Sequence, residues 1–91
     1  KYNMKATLEI SMYPLLIEEE KNNYKVLVKE FLKKIKKIKE LKIETNGLSS
    51  IVYGEYKDIV KLFDNEVKNE LSKRACLFVF KLGKGTLKYL A

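Results

Sequence analysis

The stretch Leu41-Lys42-Ile43-Glu44-Thr45-Asn46-Gly47-Leu48-Ser49-Ser50-Ile51-Val52-Tyr53-Gly54-Glu55-Tyr56 decides the architecture. Asn46-Gly47 is the strongest turn signal in the chain, because both residue types tolerate positive φ. The flanking runs carry β-branched and aromatic residues, which suit a pleated, half-buried surface. Residues 41–45 predict one strand and residues 49–56 the strand that returns, so 41–56 reads as a β-hairpin.

Upstream of the hairpin, residues 5–12 alternate. Ala6, Leu8, Ile10 and Met12 fall on one face, and Thr7, Glu9 and Ser11 on the other, as in a half-buried strand. Pro14 ends it, because proline cannot donate to the ladder. Residues 15–23 read as a loop, with Asn22 or Asn23 accepting from the free N–H groups of a following helix. In that helix Tyr24, Leu27, Val28, Phe31, Leu32, Ile35 and Ile38 recur at steps of three and four residues and form one apolar stripe. Lys25, Lys29, Lys33, Lys36 and Lys37 fall on its other face.

Downstream, residues 57–73 predict a second helix. Its stripe is Ile59, Val60, Phe63, Val67 and Leu71, and Asp58 suits its positive N-terminal end. Residues 76–82 predict the last strand, with Cys76, Phe78, Phe80 and Leu82 on one face and Leu77, Val79 and Lys81 on the other. Gly83 and Gly85 are expected to break it.

The element order is therefore β-α-β-β-α-β, an α+β domain of ferredoxin-like type. Right-handed crossovers put both helices on one face of an antiparallel sheet with strand order 4-1-3-2. A swapped, open arrangement of the same elements is the alternative. A chain of 91 residues suits one domain. We assign it to residues 5–85, with 1–4 and 86–91 as terminal extensions. The second face of the sheet is left without helices, and either Leu77 with Val79 or Phe78 with Phe80 must lie on it. A homodimer or homotetramer is expected to cover that face.

Composition narrows the function. The chain has no histidine and one cysteine, Cys76. A Cys/His zinc set, a Ser-His or Cys-His nucleophile pair and an intrachain disulfide are thereby excluded within one chain. Cys76 reads as a small apolar packing group. No metal site, cofactor or catalytic residue is expected. No apolar run approaches the length of a membrane span, and no signal peptide precedes the first strand, so a cytoplasmic protein is expected. The net charge of +7 raises the question of a nucleic-acid partner. Nearly all the positive charge is lysine, however, with Arg74 the only arginine. Specific nucleic-acid surfaces rely on arginine forks, so no specific nucleic-acid partner is expected.

The topology brings separate segments together. Strands 1 and 3 are neighbours, so Ser11, Tyr13 and Pro14 should lie near Thr45, Asn46, Ser49 and Ser50, with Glu9 just below on the open face. Hydroxyls and the Asn46 amide both donate and accept. Tyr13 or Tyr53 can stack on a flat ring. The same residues also have a purely structural use, since Thr45-Asn46-Gly47 makes a turn and the serines begin a strand.

The segment Leu8-Glu9-Ile10-Ser11-Met12-Tyr13-Pro14-Leu15 resembles the first strand of the YkoF-like thiamine/hydroxymethylpyrimidine-binding family. The hairpin Thr45-Asn46-Gly47-Leu48-Ser49-Ser50-Ile51-Val52-Tyr53-Gly54 resembles the corresponding hairpin, and Lys81-Leu82-Gly83-Lys84-Gly85 the end of the last strand. The resemblance runs from about Lys5 to Gly85. It implies a ferredoxin-like domain used in pairs that binds thiamine or its pyrimidine part without catalysis. It puts the ligand-binding positions at Glu9, Ser11, Tyr13, Thr45, Asn46, Ser49 and Ser50; Tyr53 is added as a possible ring face. Some family members have Asp where Asn46 stands and Thr where Ser50 stands. The Cys-Pro that follows the last strand in some relatives is absent. Loss of the negative charge at Asn46 weakens the case for a cationic thiazolium more than for a neutral aminopyrimidine.

Three functions suit such a domain to different degrees. A small-heterocycle binding domain accounts for the converging cluster. A basic nucleic-acid-binding domain with an RNA-recognition-type sheet is the alternative, but it wants aromatics on the open faces of strands 1 and 3, where strand 1 offers Thr7, Glu9 and Ser11. An enzyme comes last, because carboxylates such as Glu9, Glu44 and Glu55 sit where solvated charges belong.

Overall fold

The computed structural model describes residues 4–15 and 24–88. The expected cap at Asn22 or Asn23 lies outside the described residues. Strand β1 (Lys5–Pro14) leads to helix α1 (Tyr24–Lys36), then to the hairpin strands β2 (Lys42–Thr45) and β3 (Ser50–Glu55). Helix α2 follows over residues 56–73, and strand β4 (Cys76–Lys84) ends the fold. The sheet order is β2-β3-β1-β4 with every neighbouring pair antiparallel, which is the expected 4-1-3-2 arrangement read from its other edge.

Alternation in β1 sorts the sheet into two faces. Ala6, Leu8, Ile10 and Met12 are buried against the helices with Val52 of β3. From α1, Leu27, Phe31 and Ile35 enter this core at steps of four residues. Phe78 and Phe80 of β4 also face the helices. Phe78 lies 5.3 Å from the ring centre of Phe31, and Phe80 lies 4.6 Å from that of Phe63. The choice left by the sequence is thereby settled: Leu77 and Val79 are the residues exposed on the open face.

Helix α2 departs from the expected stripe. It is α-helical over Tyr56–Leu62, makes a π turn over Phe63–Val67, and is α-helical again over Lys68–Lys73. The wider turn lets Leu62 and Val67, five residues apart, bury on the same side. Phase after the turn then brings Glu70 inward, 2% exposed, while Leu71 faces outward at 53%. A regular 3.6-residue repeat does not contain this slip, so Leu71 was expected inside.

Two loop details also differ from expectation. The hairpin loop is not a two-residue turn at positive φ. Asn46 Oδ1 accepts from the backbone N–H groups of Leu48 (2.7 Å) and Ser49 (3.0 Å), and Asn46 N donates to the Ser49 carbonyl. The Asn46 side chain thus closes a longer loop, and Gly47 does not need left-handed backbone. The glycines near the C-terminus do not break β4 where expected. Gly83 lies within it, paired to Thr7, and the chain turns only at Gly85, whose φ is +82°.

Candidate functional site

A cleft lies where β3 stops and β1 continues. Pairing of β1 with β3 ends at Ile10↔Ser50, whereas pairing with β4 runs on to Pro14↔Cys76. From Ser11 to Tyr13 the β3-facing edge of β1 therefore has no ladder partner. The hairpin loop rises beside this edge and α1 passes beneath it. Together they enclose about 330 Å³. Met12, Val28, Phe31 and Leu32 supply an apolar floor, and Thr45, Asn46, Ser49 and Ser50 supply polar groups.

Six of the residues singled out in the sequence line this cleft: Ser11, Tyr13, Thr45, Asn46, Ser49 and Ser50. Tyr13 borders the cleft and is 48% exposed. Ser50 is almost fully buried, and its hydroxyl lies 3.2 Å from that of Thr45. Apolar contributors from α1 and the rim residue Leu48 were not among the expected site residues. Val28 and Leu32 belonged to the helix stripe in the sequence, and nothing in their spacing separates a core position from a cleft wall.

Glu9 stands outside the cleft, on the open face. One of its oxygens accepts from Ser49 Oγ at 3.0 Å, and the other is 3.7 Å from Lys81 Nζ. Its reach into the site is through Ser49. Among the described residues that line the cleft, none carries a charge.

Tyr53 belongs to a different cluster. Its hydroxyl donates to Glu44 at 3.2 Å, and Lys88 Nζ lies 5.6 Å from its ring centre while also binding the Glu44 carboxylate. Desolvation, followed by the nearby Glu44 charge, pushes the Tyr53 phenol above the usual tyrosine range. The Lys88 hydrogen bond holds the Glu44 carboxyl below its ordinary value, and the same bond raises Lys88. This cluster belongs to a C-terminal strap over one end of the open face. Thr7 Oγ1 donates to the Gly85 carbonyl at 2.7 Å and accepts from Leu87 N at 2.8 Å. Leu87 fills the space that a side chain at Gly83 would need. Thr7 is thus buried although it lies on the helix-free face.

The exposed lysines Lys25, Lys29, Lys33 and Lys36 line the outer surface of α1, and exposed Lys37 follows its end. Cys76 is half-buried against the core, and burial raises its thiol pKa. Among the described residues no three His, Cys, Asp or Glu side chains converge as a metal site. None of the described helices is long and apolar enough to cross a membrane.

No protein-family model matches the chain, and no curated protein sequence does. Solved structures do. A hypothetical protein from Methanocaldococcus jannascii superposes with a TM-score of 0.69 at 26% identity, covering 93% of this chain and 84% of its own. A proposed thiamine biosynthesis/salvage protein from Thermotoga maritima gives a TM-score of 0.72 at 18% identity, covering 91% and 90%. A domain of unknown function, DUF77, from Bacillus cereus gives 0.69 at 10% identity, covering 98% and 84%. At these identities the second and third likenesses concern the fold.

Proposed function

We propose that the chain is a non-enzymatic, cytoplasmic binding domain of the YkoF-like kind, whose ligand is thiamine, hydroxymethylpyrimidine or a related heterocycle. The cleft at the open end of β1 carries this reading. Its apolar floor suits a ring, and its hydroxyl and amide groups suit ring nitrogens and an amino group. The thiamine-related description of the Thermotoga maritima protein points the same way. Thermal shift with thiamine, its phosphates and hydroxymethylpyrimidine tests it, since a ligand that binds only the folded state raises the melting temperature. No stabilisation by any of them ends the proposal.

Part of the reading is a homodimer or homotetramer. The strap covers the Thr7 end of the open face, and Tyr13, Leu77 and Val79 remain exposed at the other end. Exposed apolar groups clustered on a sheet favour a partner surface. The nucleic-acid alternative gains little from this face. Tyr53 is held by Glu44 and Lys88, and Glu9 and Glu44 place negative charge where phosphates would lie.

A further inference from the structure

We propose that Lys34, Lys73 and Arg74 form an oxyanion site on the helix layer, apart from the cleft, that takes a phosphate dianion, free or carried by a small monoester. An excess of positive charge is the first observation. The three cations converge on the single carboxylate of Glu70. Lys34 Nζ lies 3.3 Å and Lys73 Nζ 3.9 Å from Oε2, and Arg74 Nε lies 3.0 Å from Oε1. Among the described residues no other carboxylate pairs with any of the three. The C-terminal end of α2 adds roughly half a negative charge, so more than one positive charge is left over among these groups. Lys34 and Lys73 address the same oxygen, so two ammonium groups from different helices lie side by side. The neighbouring Lys34 ammonium holds that of Lys73 below its ordinary value. A doubly charged anion seated on both turns this repulsion into attraction.

Access and room are the second observation. The Glu70 side chain is 3% exposed, whereas those of Lys34, Lys73 and Arg74 are 42%, 41% and 25% exposed. The carboxylate therefore holds the three from the buried side, and each still reaches solvent. Lys34 donates one N–H to Glu70 and Arg74 donates its Nε–H, which leaves two of three N–H groups on Lys34 and four of five on Arg74 for an anion. Lys34 and Ser72, the neighbour of Lys73 in the chain, also line an open groove of about 620 Å³ between α1 and α2. Asn65, Asn69, Lys37 and Lys68 line it too, and a monoester can lay its uncharged part there. Asp64 and Glu66 belong to the same groove. They precede Glu70 by six and four residues (70 − 64 and 70 − 66), about 6–9 Å along the helix at 1.5 Å per residue, which confines the phosphate to the Lys34 end.

Calorimetry on the full chain at mildly alkaline pH tests this, with inorganic phosphate, glycerol 3-phosphate and chloride at equal ionic strength. Saturable binding of phosphate or of the ester is expected at about 1 mM or tighter, and none of chloride. Tighter binding of the ester upholds the site together with the groove, and equal binding of the two upholds the site for the phosphate group alone. Lys73→Met should weaken binding by at least about tenfold, as for one charge-assisted hydrogen bond. The variant keeps Lys34 and Arg74 on Glu70, so the buried carboxylate stays paired. Lys29→Met, on the outer surface of α1, lowers the net charge equally and should leave affinity within about twofold, because distant exposed charges are screened. A readout that a purely structural cluster would not move is the Lys73 titration followed by NMR, which should shift toward its ordinary range when phosphate is bound. No saturable binding of either phosphate, an equal loss in the Lys73 and Lys29 variants, or a Lys73 titration indifferent to phosphate overturns the proposal. None of these results depends on whether the cleft binds a heterocycle.

Discussion

Glu70 and Arg74 form an ion pair beneath the second helix, with Arg74 Nε 3.0 Å from Glu70 Oε1 and the Glu70 carboxylate almost fully buried. Lys34 Nζ approaches the other oxygen at 3.3 Å and Lys73 Nζ at 3.9 Å. One buried carboxylate thus holds cations from both helices. The π turn makes this possible, because it rotates Glu70 to the inside.

Replacing Glu70 by Ala should therefore cost more than a surface ion pair would. The three cations remain part-exposed and can regain water, which reduces the penalty below that of a fully buried pair. A loss of about 2 kcal/mol is expected, from the charge-assisted hydrogen bonds and the uncompensated positive charges. Urea denaturation checks it. A change within about 0.5 kcal/mol, the range of ordinary surface substitutions, would show that the cluster contributes no more than a surface pair.

The C-terminal strap should hold best between the acid and alkaline limits. Glu44 is shifted below its ordinary value of 4.5, so its contribution is present above that value and is lost as pH falls through the folded pKa. Lys88 is shifted above 10.5 and Tyr53 above 10.0, so their contributions are present below those values and are lost as pH rises through the folded pKa values. Proton resonances of the Leu87 amide and Tyr53 ring should move in both limits. In Lys88→Ala the Glu44 carboxyl should titrate closer to its ordinary value. An unchanged Glu44 titration in that variant would rule out the Lys88 contact as its main perturbation.

Thr7→Val should loosen the strap without emptying the core. It removes a hydroxyl that donates to Gly85 and accepts from Leu87 while keeping the β-branched shape. Two hydrogen bonds at roughly 0.5–1.5 kcal/mol each set the expected loss at about 1–3 kcal/mol. Gly85→Ala should destabilise by about 1–2 kcal/mol through its left-handed backbone. Chemical denaturation of each variant measures both effects.

Ser50→Ala should weaken ligand binding by about two- to twelvefold, the equivalent of one neutral hydrogen bond. The variant also loses the contact with Thr45. Its stability should fall by up to about 1 kcal/mol, so affinity must be measured where both proteins are fully folded. Calorimetry with hydroxymethylpyrimidine provides the comparison, and an unchanged affinity would remove Ser50 from the site.

Val79→Glu should disrupt self-association. It puts a carboxylate in the exposed Tyr13–Leu77–Val79 patch on the open face and leaves the helix-facing core untouched. Light scattering should report a dimer or tetramer for the wild type and a monomer for the variant. A wild type that stays monomeric at tens of micromolar, roughly the range of a modest interface, would remove the assembly from the proposed function.

The local patterns in the sequence were sufficient for the element order, because alternation in residues 5–12 and the three-and-four spacing in α1 each bury one face only. Given that order, right-handed connections left one principal sheet order. They also brought Ser11 and Tyr13 to the hairpin that carries Asn46, Ser49 and Ser50, since neighbouring strands place distant residues side by side. What depended on tertiary structure was where regularity stops. The π turn that buries Glu70 in place of Leu71 is a slip of phase that no fixed period contains, and it is stabilised by Lys34 of the other helix and by Arg74 at the end of its own. The cleft exists because β3 ends at Ser50 while β4 carries β1 on to Pro14. The position of Glu9 on Lys81, and of Tyr53 under Lys88, depends on side chains 72 and 35 positions away in the chain (81 − 9 and 88 − 53). Contacts at that separation are chosen by packing after the sheet has formed, so the residue types were legible in the sequence and their partners were not.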